Sequence, residues 1–125
     1  KEDPVMIWGD GSAIRDFAFS RDVAEGMILA LYYGTQSKFV NLGSGKGYSI
    51  KELVETLNGF IDFNYQFDPT KPSGFPKRVM DMSLARKLIH YSAATTLLDG
   101  LKETWDWFVG NQDEYLSKKN YFKED

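Results

Sequence analysis

Cysteine is absent from the 125-residue sequence, and histidine occurs once. The missing thiols exclude a disulfide framework, a thiolate nucleophile and a cysteine-based zinc site, and they favour a reducing compartment such as the cytoplasm. The single imidazole, His90, follows Leu88-Ile89 near a predicted helix end, which favours a helix-terminal role over catalysis. We therefore expect neither catalytic residues nor a metal site in this chain.

A basic excess and a long apolar run are also lacking. The 15 Lys and Arg residues face 18 Asp and Glu residues, and the resulting net charge of -3 disfavours a nucleic-acid partner. The longest apolar stretch, Met27 to Tyr33, is far shorter than the roughly 20 residues that a membrane helix needs. Lys1 to Pro4 is polar and does not resemble the start of a secretory signal. These absences predict an intracellular protein that binds neither nucleic acid nor membranes.

What is present is a succession of short strands and amphipathic helices, typical of an α/β domain. The predicted strands are Val5 to Trp8, Phe39 to Leu42, Phe63 to Phe67 and Arg78 to Met82. The predicted helices are Arg21 to Tyr33 with Ser20 as N-cap, a helix after the capping box of Ser49 and Glu52, a helix from Ser83 through Ile89, and a helix from Leu97. We expect residues 1–115 to form one domain and residues 116–125 to form a solvated tail.

Two glycine-containing segments follow predicted strands. Gly43-Ser44-Gly45-Lys46-Gly47 superficially suggests a phosphate loop, but neither of the two common phosphate-loop spacings fits, because Tyr48 occupies the sixth position. Turn formation is the favoured interpretation. The carboxylates Asp10, Asp16 and Asp22 recur every six residues on unlike elements, so we interpret them as solvated or capping groups.

Two clusters could bind a ligand. Trp8 ends a strand and offers a stacking face, while Arg15 offers a planar fork for a phosphate or carboxylate. Lys71, Lys77 and Arg78 lie in a loop that Pro69, Pro72 and Pro76 make semi-rigid, and a pyrophosphate would suit these cations. The alternative, in which Trp8 belongs to the core and the cations are only solvated, stays open from chemistry alone.

Six sequence blocks, in this order and spacing, resemble the C-terminal part of the GDP-L-fucose synthase family over nearly the whole chain. They are Ile7-Trp8-Gly9-Asp10-Gly11, Ile14-Arg15-Asp16-Phe17, Ser20-Arg21-Asp22-Val23-Ala24, Phe39-Val40-Asn41-Leu42-Gly43-Ser44-Gly45, Ser49-Ile50-Lys51-Glu52-Leu53 and Lys71-Pro72-Ser73-Gly74-Phe75-Pro76-Lys77-Arg78. That family belongs to the extended short-chain dehydrogenase/reductases, within the NAD-dependent epimerase/dehydratase group.

The resemblance implies the fold and the role of the segment. It implies an α/β, C-terminal substrate-binding portion of an extended Rossmann-type dehydrogenase/reductase, without the N-terminal dinucleotide-binding half. Phe39 to Leu42 would then join the parallel sheet of the longer protein. An unpaired edge there would promote self-association.

The resemblance also implies what the longer protein does. It would convert GDP-4-keto-6-deoxy-mannose to GDP-L-fucose by epimerisation at two carbons and reduction with NADPH. It would act as a homodimer in the cytoplasm, whereas this segment alone would be inactive and would not bind NADP. The implied substrate-binding residues are Trp8, Arg15, Ser73, Lys77 and Arg78. Ser73 stands where the family often has Asp, and Arg78 stands where a Lys is common.

Two alternatives remain. The longer protein could be a different nucleotide-sugar 4-epimerase or 4,6-dehydratase, because those enzymes share several of the blocks. The chain could instead be a non-catalytic nucleotide- or carbohydrate-binding module. A chain that starts with Val5 to Trp8 already beside the ligand site is also expected to be a truncated or proteolytic piece of a longer protein.

Overall fold

A computed structural model describes residues 3–118 as five short strands and five helices. The strands are β1 (Val5–Trp8), β2 (Ile14–Asp16), β3 (Gly47–Ser49), β4 (Tyr65–Asp68) and β5 (Lys77–Arg78). The helices are α1 (Ser20–Tyr33), α2 (Ile50–Asn58), α3 (Ser83–Ile89), α4 (Leu97–Gly110) and α5 (Gln112–Ser117). The chain is therefore α/β, as the sequence predicted.

The strands form two small sheets. In the first, β1 and β4 run parallel, and Trp8 at the end of β1 lies opposite Asp68. In the second, β2 is the central strand, antiparallel to β3 on one side and parallel to β5 on the other. This order places Arg15 directly opposite Arg78, although the two residues are far apart in sequence.

The main apolar core lies around helix α3, which packs against α1. Its buried members are Met82, Ala85, Ile89 and Tyr91. Gly26 allows the close approach of α1, since a Cβ there would lie 3.1 Å from the Tyr91 ring. Asp22, also in α1, is buried and accepts hydrogen bonds from Thr95 N at 3.0 Å and Thr95 Oγ1 at 2.9 Å. These contacts fix α1 against the segment that leads into α4.

Local capping signals had mixed outcomes. The capping box is confirmed: Ser49 Oγ accepts from Glu52 N at 3.0 Å, and Ser49 N donates to Glu52 Oε2 at 2.7 Å. The prediction that Ser20 caps α1 is wrong, because Ser20 is the first helical residue. The extended residue Phe19 is the cap, and its carbonyl accepts from Val23 N at 3.2 Å.

The predicted strand from Phe39 to Leu42 is wrong, since these residues form no strand within the described chain. A strand requires a hydrogen-bonded neighbour, and within residues 3–118 this segment pairs with none of the five strands. The side chains of this segment nevertheless alternate between the core and the solvent. Val40 and Leu42 pack on the core, whereas Phe39 is completely exposed.

Two further strand predictions are shifted. The predicted strand from Arg78 to Met82 is wrong in extent, because pairing with β2 includes only Lys77 and Arg78. The strand predicted from Phe63 to Phe67 begins two residues later and ends at Asp68, in register with β1. In both cases the partner strand sets the boundaries.

The start of α4 is predicted correctly, but the predicted C-terminal tail overlaps helix α5. Helix α4 begins at Leu97 as expected, and Thr96 caps it by accepting from Asp99 N at 3.1 Å. The first two residues of the expected tail, 116 and 117, complete helix α5 and are exposed. Residues 119–125 lie outside the described part of the chain.

Candidate functional site

Arg15 connects strand β2 with the proline-rich loop of residues 69–76. Its Nη1 donates to the carbonyl oxygens of Phe75 and Ile14, each at 2.7 Å, and its Nη2 donates to the carbonyl of Ser73 at 3.3 Å. A guanidinium has five N–H donors, so these three bonds leave two donors for a ligand. Arg15 therefore orders the loop and can still bind an anion.

Trp8 lies at the edge of the same region. Its side chain is 65% exposed, which contradicts the alternative that Trp8 belongs to the core. The next residue, Gly9, has φ 87° and lies against the loop: a Cβ at this position would be 2.5 Å from Ser73 Oγ. Glycine is required there by both conformation and space. The turn after Trp8 is thus packed directly on Ser73.

One of the predicted cations, Arg78, lies beside Arg15. Strand pairing places Lys77 opposite Ile14 and Arg78 opposite Arg15. The Arg78 guanidinium lies over the Phe75 ring, 4.4 Å from its centroid, in a cation–π contact. Within residues 3–118, no carboxylate oxygen approaches within 4 Å of Arg15, Lys71, Lys77 or Arg78. The region is therefore a cluster of positive charge without acidic partners in the described chain.

The structure brings most of the predicted site residues together. Arg15 and Arg78 are opposite each other on β2 and β5, and Arg15 also donates to Ser73 in the loop between β4 and β5. Trp8 lies nearby through the contact of its neighbour Gly9 with Ser73. Lys77 is not brought to this surface: it lies opposite Ile14, and neighbouring residues of a strand point to opposite faces of the sheet. We name the surface of Trp8, Arg15, Ser73 and Arg78 the arginine cluster.

The glycine-containing loop of residues 43–47 has a different partner from the phosphate that its composition suggests. The Asp16 carboxylate accepts from Ser44 N at 2.8 Å, Ser44 Oγ at 2.5 Å and Gly45 N at 2.9 Å. It also accepts from Met80 N at 3.2 Å. Burial raises the pKa of Asp16, but these hydrogen bonds outweigh it and hold the pKa below its usual value. The loop is therefore more than a turn, because Ser44 and Gly45 bind a carboxylate of the same chain.

The same loop bears on cofactor binding. Its backbone N–H groups at Ser44 and Gly45 are both occupied by Asp16, so they are not available to the phosphates of a dinucleotide. The loop residues of this chain therefore do not fit a dinucleotide cofactor.

Sequence reasoning missed the roles of Asp16 and Asp22. Both were interpreted as solvated or capping groups, yet each accepts hydrogen bonds from a segment distant in sequence. A signal existed for Asp16: an acidic residue at a strand end and a Gly-Ser-Gly loop have complementary hydrogen-bonding groups. For Asp22 the partner, Thr95, follows no motif.

The four best-defined clefts of the described chain lie away from the arginine cluster, and two of them flank Phe19. One, of about 310 Å³, lies between the Phe17–Phe19 segment and the start of α4. The other, of about 510 Å³, lies between Phe19 and Trp107, where Arg21 pairs with Glu103. The arginine cluster is an open surface by comparison.

Among residues 3–118, no group of three or more His, Cys, Asp or Glu side chains could hold a metal ion. None of the helices in the described residues has the length and apolar character needed to cross a membrane.

Comparison with known protein sequences tests the family resemblance that the six sequence blocks indicate. The profile of the NAD-dependent epimerase/dehydratase family matches residues 1–43. GDP-L-fucose synthase 1 of Arabidopsis thaliana is 35% identical over 109 residues, which cover 86% of this chain and 33% of that protein. The resemblance to the NAD-dependent epimerase/dehydratase family is confirmed. The chain spans about a third of the length of the curated relatives it matches.

Solved structures extend this likeness to the epimerase fold. An epimerase from Methanothermobacter thermautotrophicus has a TM-score of 0.83 at 24% identity, over 92% of this chain and 35% of that one. UDP-glucuronic acid 4-epimerase from Bacillus cereus, solved with UDP-glucuronic acid and NAD, has a TM-score of 0.75 at 27% identity, over 86% of this chain and 35% of that one. The chain therefore has the α/β fold of part of an extended short-chain dehydrogenase/reductase epimerase.

Within this epimerase fold, the arginine cluster has two origins in the sequence. Trp8 and Arg15 lie in the segment that the family profile covers, whereas Ser73 and Arg78 lie beyond it. The β2–β5 pairing joins the two parts.

Proposed function

We propose that this chain is the sugar-nucleotide-binding portion of a GDP-L-fucose synthase. The observation that carries the proposal is the pairing of Arg15 with Arg78 on adjacent strands, without a carboxylate partner in residues 3–118. The exposed Trp8 is connected to these arginines through its neighbour Gly9, which contacts Ser73. A pyrophosphate carries two or more negative charges, and guanidinium groups bind such oxygens through paired hydrogen bonds. An aromatic face beside the cations suits a base or a sugar ring.

The proposed reaction belongs to the longer protein. GDP-4-keto-6-deoxy-mannose would be epimerised at two carbons and then reduced at the ketone. NADP and the reacting residues would be supplied by a dinucleotide-binding half outside this chain, and this segment alone would be inactive. The two donors that Arg15 has left, together with the Arg78 guanidinium, would hold the pyrophosphate while chemistry occurs elsewhere on the substrate.

The exposed apolar surface supports a partner of this kind. Helix α1 is apolar on both sides: its inner face packs on the core, and its outer face exposes Met27, Ile28, Leu31 and Tyr32. Helices that are apolar all round are normally buried. We propose that the dinucleotide-binding half covers this face and pairs with segment 39–42. We also propose a homodimer in the cytoplasm for the intact protein; the cysteine-free sequence supports the reducing compartment.

Arg15→Ala and Arg78→Ala test the binding role. We expect each to weaken GDP binding by about tenfold to a hundredfold, because a charge-assisted hydrogen bond contributes roughly 1.5 to 3 kcal/mol. Arg21→Ala is a matched control, since Arg21 pairs with Glu103 away from the arginine cluster. Calorimetric titration with GDP and the thermal midpoint would be measured for all three variants. Unchanged GDP affinity with a lower midpoint in both cluster variants would leave these arginines with a structural role only.

A second enzyme function is favoured by a specific observation. The Bacillus cereus structure similar to this chain holds a UDP-sugar, and Ser73 stands where the GDP-L-fucose synthase family often has Asp. A UDP-sugar 4-epimerase would therefore bind UDP better than GDP. Parallel titrations with GDP and UDP distinguish these substrates.

A non-catalytic binding module is the remaining alternative. It predicts that the coding sequence upstream of Lys1 lacks the Gly-rich dinucleotide motif and the Tyr-x-x-x-Lys reduction motif. An upstream sequence with both motifs would support the enzyme.

A further inference from the structure

Asp16 holds the central strand of the arginine cluster to both of its neighbours. Its four hydrogen bonds come from two directions: Ser44 and Gly45 lie two to three residues before β3, and Met80 follows β5 by two residues. Because β3 and β5 flank β2, one carboxylate at the end of β2 fixes both flanking strands. The glycines beside Ser44 make this possible, since a Cβ on Gly43 would lie 3.0 Å from Asp16 Oδ2.

The flanking strands are too short to fix this geometry alone. Strand β5 has two residues, and its pairing with β2 includes only two register positions, one of which is Arg15 opposite Arg78. Short ladders of this kind are marginally stable in water. The hydrogen bond from Met80 to Asp16 closes the end of the pairing two residues after Arg78.

We infer that Asp16 is a positioning residue for anion binding: by anchoring β3 and β5 to β2, it holds the guanidinium groups of Arg15 and Arg78 side by side. This inference rests on the proposed function of the arginine cluster. Asp16 itself does not touch the ligand, because all four of its hydrogen bonds are made within the chain and its charge would repel a phosphate.

Asp16→Asn is the direct test, and Asp22→Asn is its matched control. An Asn at position 16 has the same shape, but its NH2 group would face an N–H donor of Ser44, Gly45 or Met80. Asp22 is also a carboxylate that receives two hydrogen bonds from a distant segment, but it connects α1 to Thr95 rather than β2 to the cluster strands. Both changes are expected to lower the thermal midpoint. Only the change at Asp16 is expected to weaken anion binding.

GDP is titrated into the complete 125-residue chain, and binding is monitored by NMR. Each variant is measured at a temperature below its own thermal midpoint, so that the protein is folded. We expect Asp16→Asn to weaken GDP binding about tenfold, equivalent to one lost hydrogen bond at the arginines, and Asp22→Asn to retain wild-type affinity. Ser44→Ala, which removes one of the four donors, should give a smaller loss in the same direction. It keeps the test valid where Asp16→Asn fails to fold.

The outcomes separate the inference from the proposed function. Wild-type affinity in both Asp16→Asn and Ser44→Ala, or an equal loss in Asp22→Asn, overturns the positioning role while the proposed function stands. Failure of the wild-type chain to bind GDP or UDP overturns the proposed function, and the positioning role with it.

Discussion

Gly9 and Ser73 are in direct contact, so the turn that follows Trp8 and the proline-rich loop form one packed unit. Gly9→Ala is expected to lower the free energy of unfolding, whereas Gly110→Ala is not. Gly9 has φ 87°, which costs an alanine roughly 1 to 2 kcal/mol, and its new Cβ would lie 2.5 Å from Ser73 Oγ. Gly110, the last residue of α4, is not among the positive-φ glycines, and a Cβ there would meet no atom within 4 Å. Urea denaturation of the two variants checks the difference; an unchanged free energy of unfolding in Gly9→Ala would mean that the turn and the loop are not packed together.

The elements that the sequence predicted well depend on neighbours along the chain. The capping box of Ser49 and Glu52 and the start of α4 need only contacts within one turn of helix. The strand at residues 39–42 failed because a strand needs a partner elsewhere, and the described chain provides none. The extent of β5 was misjudged for the same reason: β2 determines where its pairing ends.

The candidate site was predicted through residue chemistry and family resemblance, but its internal bonds were not. That Arg15 and Arg78 lie together was predicted. That Arg15 also holds the carbonyl groups of Ser73 and Phe75 was not, because backbone acceptors leave no mark on sequence. The role of Asp16 depends on three segments that meet only in the folded chain.

Tyr91→Phe is expected to raise the free energy of unfolding by about 1 kcal/mol, because the tyrosine hydroxyl loses its hydrogen bonds to water on folding and gains none within the described chain. Tyr91 is 1% exposed, and its hydroxyl has no partner among the described residues. Tyr33→Phe is the control, since Tyr33 is half exposed. Urea denaturation would decide: a loss of stability in Tyr91→Phe would show that the hydroxyl is bonded in solution.

Acid should destabilise the chain through Asp16. Its pKa is lowered in the folded state, so the folded protein binds fewer protons than the unfolded protein around the usual value of 3.8. The stabilisation is therefore present above pH 3.8 and is lost as pH falls through the lower, folded pKa. Asp16→Asn should flatten this acid dependence between pH 5 and pH 2, as measured by denaturation at several pH values. Identical acid slopes in wild type and variant would contradict it.

The outer face of α1 should cause self-association of the isolated chain. Leu31 is 88% exposed within an apolar stripe, so Leu31→Lys is expected to increase the monomer fraction in analytical ultracentrifugation. Leu116→Lys is the matched control, because Leu116 is 71% exposed on the short helix α5. A wild-type chain that stays monomeric over a wide concentration range would show that this face needs no partner.

The central claim is that the arginine cluster binds the pyrophosphate of a sugar nucleotide. A ¹H–¹⁵N NMR titration of the complete chain with GDP at up to millimolar concentration tests it most directly. The account predicts saturable shifts at the Trp8 indole, Gly9, Arg15 and residues 73–78, with the cleft between Phe19 and Trp107 unaffected. An unperturbed spectrum with both GDP and UDP, or shifts centred on that cleft, would contradict it.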